Sequence, residues 1–422
     1  MMSPARVSHL VRTAAAGAVA MAIAMGFGRF SYTPILPGMM RDLGLTPADA
    51  GMIASANFLG YLIGAWLAGQ GAAAGRERAI ALSMLGATTL LLLAMGLVSD
   101  RLIFAAIRFL AGLSSALVMV MVSQIVLSQA APASEGAAAG HVASAHFGGV
   151  GLGIALSSLM VWLLPEGAPT IGLAAWREAW LAGAGIAALG TLFVAFALPM
   201  PAAASDRSAS SPAVEPRIAW TPPLVALTVS YGLFGFGYVI TATFLVAMAR
   251  QVASNPDLEF LSWLATGLSA AVSVALWRLA VPRIGLVGAY LAGLLLEAVG
   301  LVLSVTLPPA TAPLVGGLML GGTFLMITAF GLQIGRALAP QSPRRIIALM
   351  TVAFGIGQIL GPLVAGRLAE SSGTYTLPTL IAAAVLLASA LIVTAMRAEI
   401  TRACSLSAML PGRMMQEGEP RD

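Results

Sequence analysis

The sequence predicts an all-α integral membrane protein with twelve transmembrane helices arranged as two six-helix bundles. Hydrophobic residues make up 59% of the 422 positions and charged residues only 9%, and the mean hydropathy is +0.92. A soluble domain has no means of covering that much apolar surface, whereas the lipid of a bilayer solvates it. Apolar runs of spanning length recur to the end of the chain, and the second half repeats features of the first.

Each predicted helix is an apolar run long enough to cross a bilayer, which takes about twenty residues. Backbone groups in lipid must pair within the segment, so these runs are predicted to be helical. The first run follows Arg6 and Arg12 in the manner of a signal peptide, but similar runs continue along the whole chain, which favours a retained helix. The predicted helices 1 to 12 are 10–36, 48–70, 79–98, 102–130, 139–164, 177–198, 222–249, 261–281, 286–306, 312–338, 347–370 and 377–396.

The two halves are related by an internal repeat. Gly26–Met39 reads GFGRFSYTPILPGM, and Gly235–Met248 reads GFGYVITATFLVAM, at an offset of 209 positions. Further matched pairs are Gly112 with Gly321 and Phe147-Gly148 with Phe354-Gly355. Because each half has an even number of helices, both halves enter the membrane from the same side, which is a parallel repeat.

Arginines outside the predicted helices favour one side of the membrane. All 22 basic residues are arginine, and with a cytoplasmic N-terminus fifteen lie inside and five outside. This asymmetry fits the positive-inside rule and predicts a multi-pass protein of the bacterial inner membrane with both termini in the cytoplasm. The net charge of +5 is spread over short loops, so we expect no nucleic-acid partner.

The chain is predicted to have four parts. Residues 1–198 form the N-terminal bundle, and residues 222–396 form the C-terminal bundle. Between them, residues 199–221 are polar, contain prolines and serines, and lack a hydrophobic period, which is typical of a flexible linker. Residues 397–422 are a short cytoplasmic tail of mixed charge.

Several motifs resemble the major facilitator superfamily of transporters. Arg108–Gly112, reading RFLAG, resembles its RxxxG motif, and Gly361-Pro362 with Gly366 resembles its glycine-proline motif. Within the superfamily, the stretch GFGRFSYTPILPGM resembles the signature of the bacterial YbfB/YjiJ-type transporters. Further stretches similar to that family are Tyr231–Phe244 and Phe354–Gly366. The resemblance implies the superfamily fold, a central cavity lined in part by helices 1 and 4, and a monomer.

The loop between helices 2 and 3 departs from the superfamily pattern. In the superfamily this loop carries an aspartate close to basic residues and forms a cytoplasmic gate. Here Gly69–Arg78 reads GQGAAAGRER and has no aspartate. We therefore assign a gating loop to Arg76 and Arg78 alone.

Two arginines lie well inside predicted helices, away from their ends, Arg29 in helix 1 and Arg108 in helix 4. An arginine in the membrane interior costs about 2.5 kcal/mol or more, so each should face a wet cavity or a partner. The planar guanidinium fork suits a carboxylate or phosphate, which favours a substrate site. The alternative is structural, with each side chain reaching the outer interface or bonding the carbonyls of a broken helix.

Glycines and prolines around Arg29 predict an irregular first helix. Pro34 and Pro37 remove backbone donors and favour a helix that kinks or ends, while Gly26 and Gly28 allow close packing or unwinding. An unwound segment would expose backbone groups to a solute, whereas a packed kink would serve folding alone. We expect helix 7 to form the same GFG turn, with Tyr238 in the position of Arg29.

Two buried titratable residues are candidates for proton coupling. Glu297 is the only acid well inside a predicted helix, and it can bind a proton there or pair with a neighbouring helix. His146 lies in the glycine-rich helix 5 and can exchange a proton near neutral pH or serve in packing. For both residues we favour the packing role.

The remaining candidates are uncharged polar groups within helices. Such groups bind a solute or, more commonly, bridge helices. The predicted substrate-binding residues are Arg29, Tyr32, Arg108, Tyr231, Tyr238 and Gln358. We expect no metal and no cofactor, because no residue set has metal-ligand spacing and no glycine run completes a dinucleotide motif.

These features predict a secondary active transporter that moves a small organic solute by alternating access. An arginine occupies helix 1, so we expect an anionic or zwitterionic solute. Because an arginine keeps its proton, any coupling to protons must use other groups. The alternatives are an integral membrane enzyme, which would need clustered acids, histidines or a metal, and a membrane sensor without turnover.

Overall fold

The computed structural model describes residues 4–70, 75–130, 137–164, 170–200, 215–253 and 255–416, and it is all-helical over these residues. The helices are α1 (Pro4–Met21), a π-helical segment (Ala22–Phe30), α2 (Tyr32–Leu43), α3 (Pro47–Gly69), α4 (Glu77–Leu97), α5 (Arg101–Ala130), α6 (Ala137–Trp162), α7 (Ala175–Ala197), α8 (Pro222–Ala253), α9 (Pro256–Ile284), α10 (Leu286–Thr306), α11 (Ala312–Leu338), α12 (Pro343–Ser372), α13 (Thr376–Ala395) and α14 (Arg397–Gln416). Twelve spans are long and apolar enough to cross a membrane, the first of which comprises α1, the π-helical segment and α2. The predicted all-α membrane fold is confirmed.

The first span is longer than predicted and continues beyond both prolines. It ends at Leu43, where Gly44 takes the left-handed conformation with φ of 64° that favours glycine. Pro34 falls in the first turn of α2, where a missing N–H is least costly. Of the two alternatives for the prolines, a kink or an end of the helix, the end is therefore wrong.

Several other helices also exceed their predicted bounds, α9 by the most, and the tail forms a helix that was not predicted. α9 begins at Pro256 because the Asn255 side chain caps it, accepting from the backbone N–H groups of Asp257 and Leu258. The tail after Met396, predicted only as polar, forms α14, which packs on the bundle through the fully buried Ile400.

The two halves contact each other closely through glycines. A methyl group at Gly51 would lie 2.2 Å from the Pro362 carbonyl oxygen, and one at Gly366 would lie 2.3 Å from the Pro47 carbonyl oxygen. These positions join α3 to α12 on the far side, the membrane side on which α2 ends and α3 begins. The opposite side, where α1 begins, is called the terminal side.

Hydroxyl groups add hydrogen bonds between the halves near the far side. Ser55 donates to the Ile359 carbonyl at 2.8 Å. Ser158 donates to the Phe260 carbonyl, also at 2.8 Å. Because the donors lie in the first half and the acceptors in the second, these bonds hold the halves together on the far side.

The matched segments of the repeat meet at the centre. Every residue from 23 to 39 and from 237 to 249 is buried. Thr33 donates at 2.7 Å to the carbonyl of Ala242, a residue 209 positions away. This separation equals the repeat offset, so the pseudo-twofold axis passes close to this hydrogen bond.

Candidate functional site

The site is built around the π-helical segment, whose wide turn includes Arg29. Such segments are rare and occur frequently at functional sites. A methyl group at Gly26 would lie 2.4 Å from the Cα of Gly153 in α6, so glycine is needed for this approach. The hydroxyl of Ser31 donates to the Phe27 carbonyl at 2.5 Å and closes the turn into α2. In α8 the matched glycines lie in a regular α-helix, so the expectation of the same turn in both halves is wrong.

Arg108 binds the backbone of this segment. Its Nη1 donates to the Gly28 carbonyl at 2.7 Å, and its Nη2 donates to the Arg29 carbonyl at 2.6 Å. In the π-helical pattern the Arg29 carbonyl would pair with the nitrogen of Pro34, which carries no hydrogen. The guanidinium therefore supplies the Arg29 carbonyl with the donor that Pro34 lacks, and its Nε has no hydrogen-bond partner among the described residues.

The Arg29 side chain lies among aromatic rings. The side chain is buried, with 4% of its surface exposed, and its Cζ lies 4.2 Å from the ring centroid of Tyr61. The rings of Phe58 and Phe30 are at 4.7 and 5.4 Å. Its Nε and Nη2 have no hydrogen-bond partner among the described residues. Aromatic rings thus stabilise the charge through cation–π contacts, while two donors stay unused.

A small cavity lies between the two halves beside these arginines. Its lining residues are Arg29, Phe30, Tyr32, Thr33, Ala54, Phe58, Arg108, Ala242 and Thr243. The volume of about 10 Å³ is enough for about one water molecule. An organic molecule needs more room than this, so the cavity in this conformation is too small to hold one.

Tyr32 lies beside Arg108 at the edge of the cavity. The Arg108 Cζ is 5.2 Å from the centroid of the tyrosine ring. The Tyr32 hydroxyl donates to the Ala50 carbonyl of α3 at 3.1 Å. The ring therefore lines the cavity while the hydroxyl holds α2 and α3 together.

The second half faces Arg29 with an aromatic stack. Tyr238 lies parallel to Phe324 and Phe354, with centroids 5.8 and 5.7 Å away and interplanar angles of 5°. Its hydroxyl accepts a hydrogen bond from Nε2 of Gln358, whose Oε1 is unpaired among the described residues. Phe324 also contacts Phe30, whose ring centroid lies 5.4 Å from the Arg29 Cζ, so the stack adjoins the surroundings of Arg29.

Tyr231 lies at the other end of the stack. Its ring stacks on Phe354 with centroids 5.1 Å apart. Its hydroxyl donates to the Thr328 carbonyl of α11 at 3.1 Å. It belongs to the aromatic cluster but does not line the cavity.

Glu297 and His146 lie in separate polar contacts. Thr323 of α11 donates to Glu297 Oε2 at 3.1 Å. The His146 Nε2 is 2.9 Å from the Ser123 hydroxyl of α5, and the ring packs against Gly17. Neither residue lines the cavity, and each has a neighbouring-helix partner of the kind that a packing role requires.

The predicted gating loop is tied to its own half. Arg78 donates through Nε to the Leu198 carbonyl at 3.1 Å and through Nη2 to the Ala195 carbonyl at 2.5 Å, which caps the end of α7. Arg76 occupies the N-cap position of α4. Across the halves, Arg278 of α9 donates to the Gly140 carbonyl at 3.4 Å. This bridge was not predicted.

Sequence reasoning missed most of the aromatic residues around the arginine. The missed members are Phe30, Phe58, Tyr61, Phe324 and Phe354. Phe58 and Tyr61 are three positions apart and so share a helix face, which was a usable signal. Apolar rings in a membrane helix otherwise have the same pattern as lipid-facing residues. Within the described residues, no group of three histidines, cysteines or acids is placed to hold a metal ion.

Solved transporter structures share this fold. The crystal structure of a point mutant of the nucleoside transporter NupG has a TM-score of 0.70 and 15% identity, covering 92% of this chain and 99% of that one. An inward-facing, unoccupied bacterial homologue of the human lysosomal transporter Spinster has a TM-score of 0.66 and 12% identity, covering 96% and 98%. At such identities the likeness establishes the fold alone. No curated protein sequence matches the chain.

The family assignment comes from the sequence itself. Residues 21–394 match the family described as "Uncharacterised MFS-type transporter YbfB". This range covers ten of the twelve spans in full, all but the last residue of the twelfth, and most of the first, including the π-helical segment and Arg29. The predicted resemblance is confirmed, and the chain is a multi-pass membrane transporter that belongs to the YbfB-type family of MFS transporters.

Proposed function

We propose that this chain is a secondary active transporter that moves a small organic anion or zwitterion by alternating access of its two halves. The observation that carries this proposal is the pair of unused donors on Arg29, buried beside the cavity between the halves. A buried donor without a partner is costly, so its retention at the centre of a transporter favours a ligand-binding role. The repeat places Tyr238 in the position of Arg29, so the charge is confined to one half.

We further propose that the protein lies in the bacterial inner membrane as a monomer, with both termini and the 199–221 linker in the cytoplasm. The arginine asymmetry supports this orientation. If protons drive transport, the candidates are Glu297, His146 and the solute itself, because arginine does not release its proton.

The direct test is substrate binding to purified Arg29→Gln and Arg29→Lys protein. Loss of one charged, hydrogen-bonded contact should cost about 1.5–3 kcal/mol, which is about ten- to hundredfold in affinity. Arg29→Lys should recover only part of this, because an ammonium group cannot form a bidentate fork. The exposed Arg101→Gln is the matched control and should bind normally. Wild-type affinity in folded Arg29→Gln protein would remove the binding role.

Counterflow in proteoliposomes separates this function from the alternatives. A transporter exchanges labelled solute for unlabelled solute and releases it chemically unchanged. An integral membrane enzyme would release a modified product, and a sensor would bind without exchange. A panel of organic anions, zwitterions and cations in this assay would also test the expected sign of the substrate charge.

A further inference from the structure

The two unpaired nitrogens of Arg29, Nε and Nη2, have a fixed relative geometry. The Nε–H and one N–H of Nη2 lie along the same edge of the guanidinium plane and point in parallel. Two parallel N–H groups match the two oxygens of one carboxylate, which binds them side-on. The rings of Tyr61 and Phe58 lie over the same guanidinium within 4.2–4.7 Å, so the edge is the available approach for an acceptor.

Among the described residues that line the cavity, Arg29 alone has such an edge with neither nitrogen already hydrogen-bonded. Arg108 is the other basic residue in the lining, and both of its Nη atoms already donate to backbone carbonyls. Its Nε is its one nitrogen without a hydrogen-bond partner among the described residues, whereas both Nε and Nη2 of Arg29 are without one. A second carboxylate on the same solute would therefore have to compete with a backbone carbonyl for Nη2 of Arg108, and burying a poorly paired charge is unfavourable.

The side chains around this edge favour a solute with a flat, apolar ring. Phe30, which lines the cavity, contacts Phe324 of the second half with centroids 6.1 Å apart in an edge-to-face arrangement. Phe324 in turn stacks on Tyr238. An aromatic ring inserted among these side chains would gain stacking contacts that an alkyl chain of equal size lacks.

The nearby polar groups offer few hydrogen-bond partners to a solute with several hydroxyls. The Tyr238 hydroxyl accepts from Gln358, and the Tyr231 hydroxyl donates to the Thr328 carbonyl. These residues leave one donor, the hydrogen of the Tyr238 hydroxyl, and one acceptor, Gln358 Oε1, which is enough for one ring hydroxyl or amine. A sugar-like solute with several hydroxyls would lose its hydration without enough new partners among them, which costs affinity.

We propose that the substrate is an aromatic monocarboxylate, held by the Nε–Nη2 edge of Arg29 and by the aromatic rings that adjoin it in both halves. This inference rests on the proposed function, since it names the solute class for the same site. Benzoate is the simplest probe of it.

The experiment measures binding and counterflow of four matched probes with the full-length purified protein. Benzoate has the ring and the charge, benzamide has the ring without the charge, propionate has the charge without the ring, and succinate has a second charge. We expect benzoate to bind about tenfold or more tightly than each of the others. In Arg29→Gln the preference for benzoate over benzamide should disappear, and in Phe324→Leu the preference for benzoate over propionate should fall.

A second ring variant keeps the test decisive if the first one does not fold. If Phe324→Leu does not fold, Phe58→Leu serves the same purpose, because Phe58 also lines the cavity. Equal binding of benzoate and propionate, or tighter binding of succinate, would overturn the aromatic monocarboxylate while leaving an Arg29-dependent anion transporter intact. If none of the anions exchanges but a cation or neutral solute does, the proposed anionic substrate itself is wrong.

Discussion

At the scale of single residues, the two buried arginines differ in their hydrogen bonding. Arg108 donates to two carbonyls of the π-helical segment, whereas Nε and Nη2 of Arg29 donate to no described residue. Arg108→Gln should lower the melting temperature in detergent, because a charged hydrogen bond contributes about 1.5–3 kcal/mol. Arg29→Gln should change it less, since the loss of desolvated ring contacts, about 2 kcal/mol, is offset by removal of two buried donor nitrogens that have no partner among the described residues. If the melting temperature fell further in Arg29→Gln than in Arg108→Gln, Arg29 rather than Arg108 would be the structural arginine.

The same scale gives a prediction about protons. Glu297 accepts from Thr323, and His146 bonds Ser123, so each has a local partner away from the cavity lining. We expect Glu297→Gln and His146→Gln to keep most of the solute accumulation that a pH gradient drives. The measurement is uptake into proteoliposomes with and without the gradient. A variant that binds solute normally but loses the response to the gradient would identify its residue as part of the coupling.

The candidate site could be predicted in part from residue types. A charge inside a span is costly, so Arg29 and Arg108 stand out in the sequence on energetic grounds. Among the described residues, only one of the two guanidiniums donates to backbone carbonyls. Which one does so depends on the missing N–H of Pro34 and on the packing of α5 against the first span. Those relations join residues about 80 positions apart, so no local pattern contains them.

At the scale of elements, helix–helix contacts through glycine hold the far side closed. A methyl group at Gly366 would lie 2.3 Å from the Pro47 carbonyl oxygen, closer than real side chains approach. Gly366→Ala should therefore separate α12 from α3 and favour states that are open on the far side. Gly322→Ala is the matched control, because nothing lies within 4 Å of an added methyl group there.

Thiol accessibility can report this opening. Ser55 lies in the α3–α12 interface and is 4% exposed. In a Cys404→Ser background, Ser55→Cys should react slowly with a polar maleimide, and adding Gly366→Ala should speed the reaction. Equal rates with Gly366→Ala and Gly322→Ala would show that the glycine contact does not set the equilibrium.

Helix existence was predictable at this scale, whereas helix type was not. A run of about twenty apolar residues requires a helix in lipid, and all twelve predicted spans have counterparts. The π-helical form of Ala22–Phe30 depends on close packing at Gly26 and on outside partners for its carbonyls. The matched glycines of α8 sit in a regular helix, so the GFG triplet alone does not specify the wide turn.

At the scale of the whole molecule, the sequence repeat corresponds to a structural relation between the halves. The hydrogen bond from Thr33 to Ala242 joins positions that the repeat makes equivalent. Symmetry in the backbone is combined with asymmetry in chemistry, because the first half supplies Arg29 and the second half supplies Tyr238 at the matched position. An off-centre charge beside a central axis is suited to orienting a solute with one charged end.

The final prediction concerns the orientation of the whole chain. Six spans precede residues 199–221 and twelve precede residue 397, so the linker and the C-terminus must lie on the side where the first span begins. The arginine asymmetry assigns that side to the cytoplasm. Reporter fusions at Ala203 and after Asp422 should therefore give a cytoplasmic signal, such as fluorescence of a protein that folds only inside the cell. A fusion at Gly172, one span from the linker, should instead give a periplasmic phosphatase signal. A periplasmic signal at Ala203 with a cytoplasmic signal at Gly172 would invert the orientation, and matching signals at these two positions would contradict the twelve-span topology.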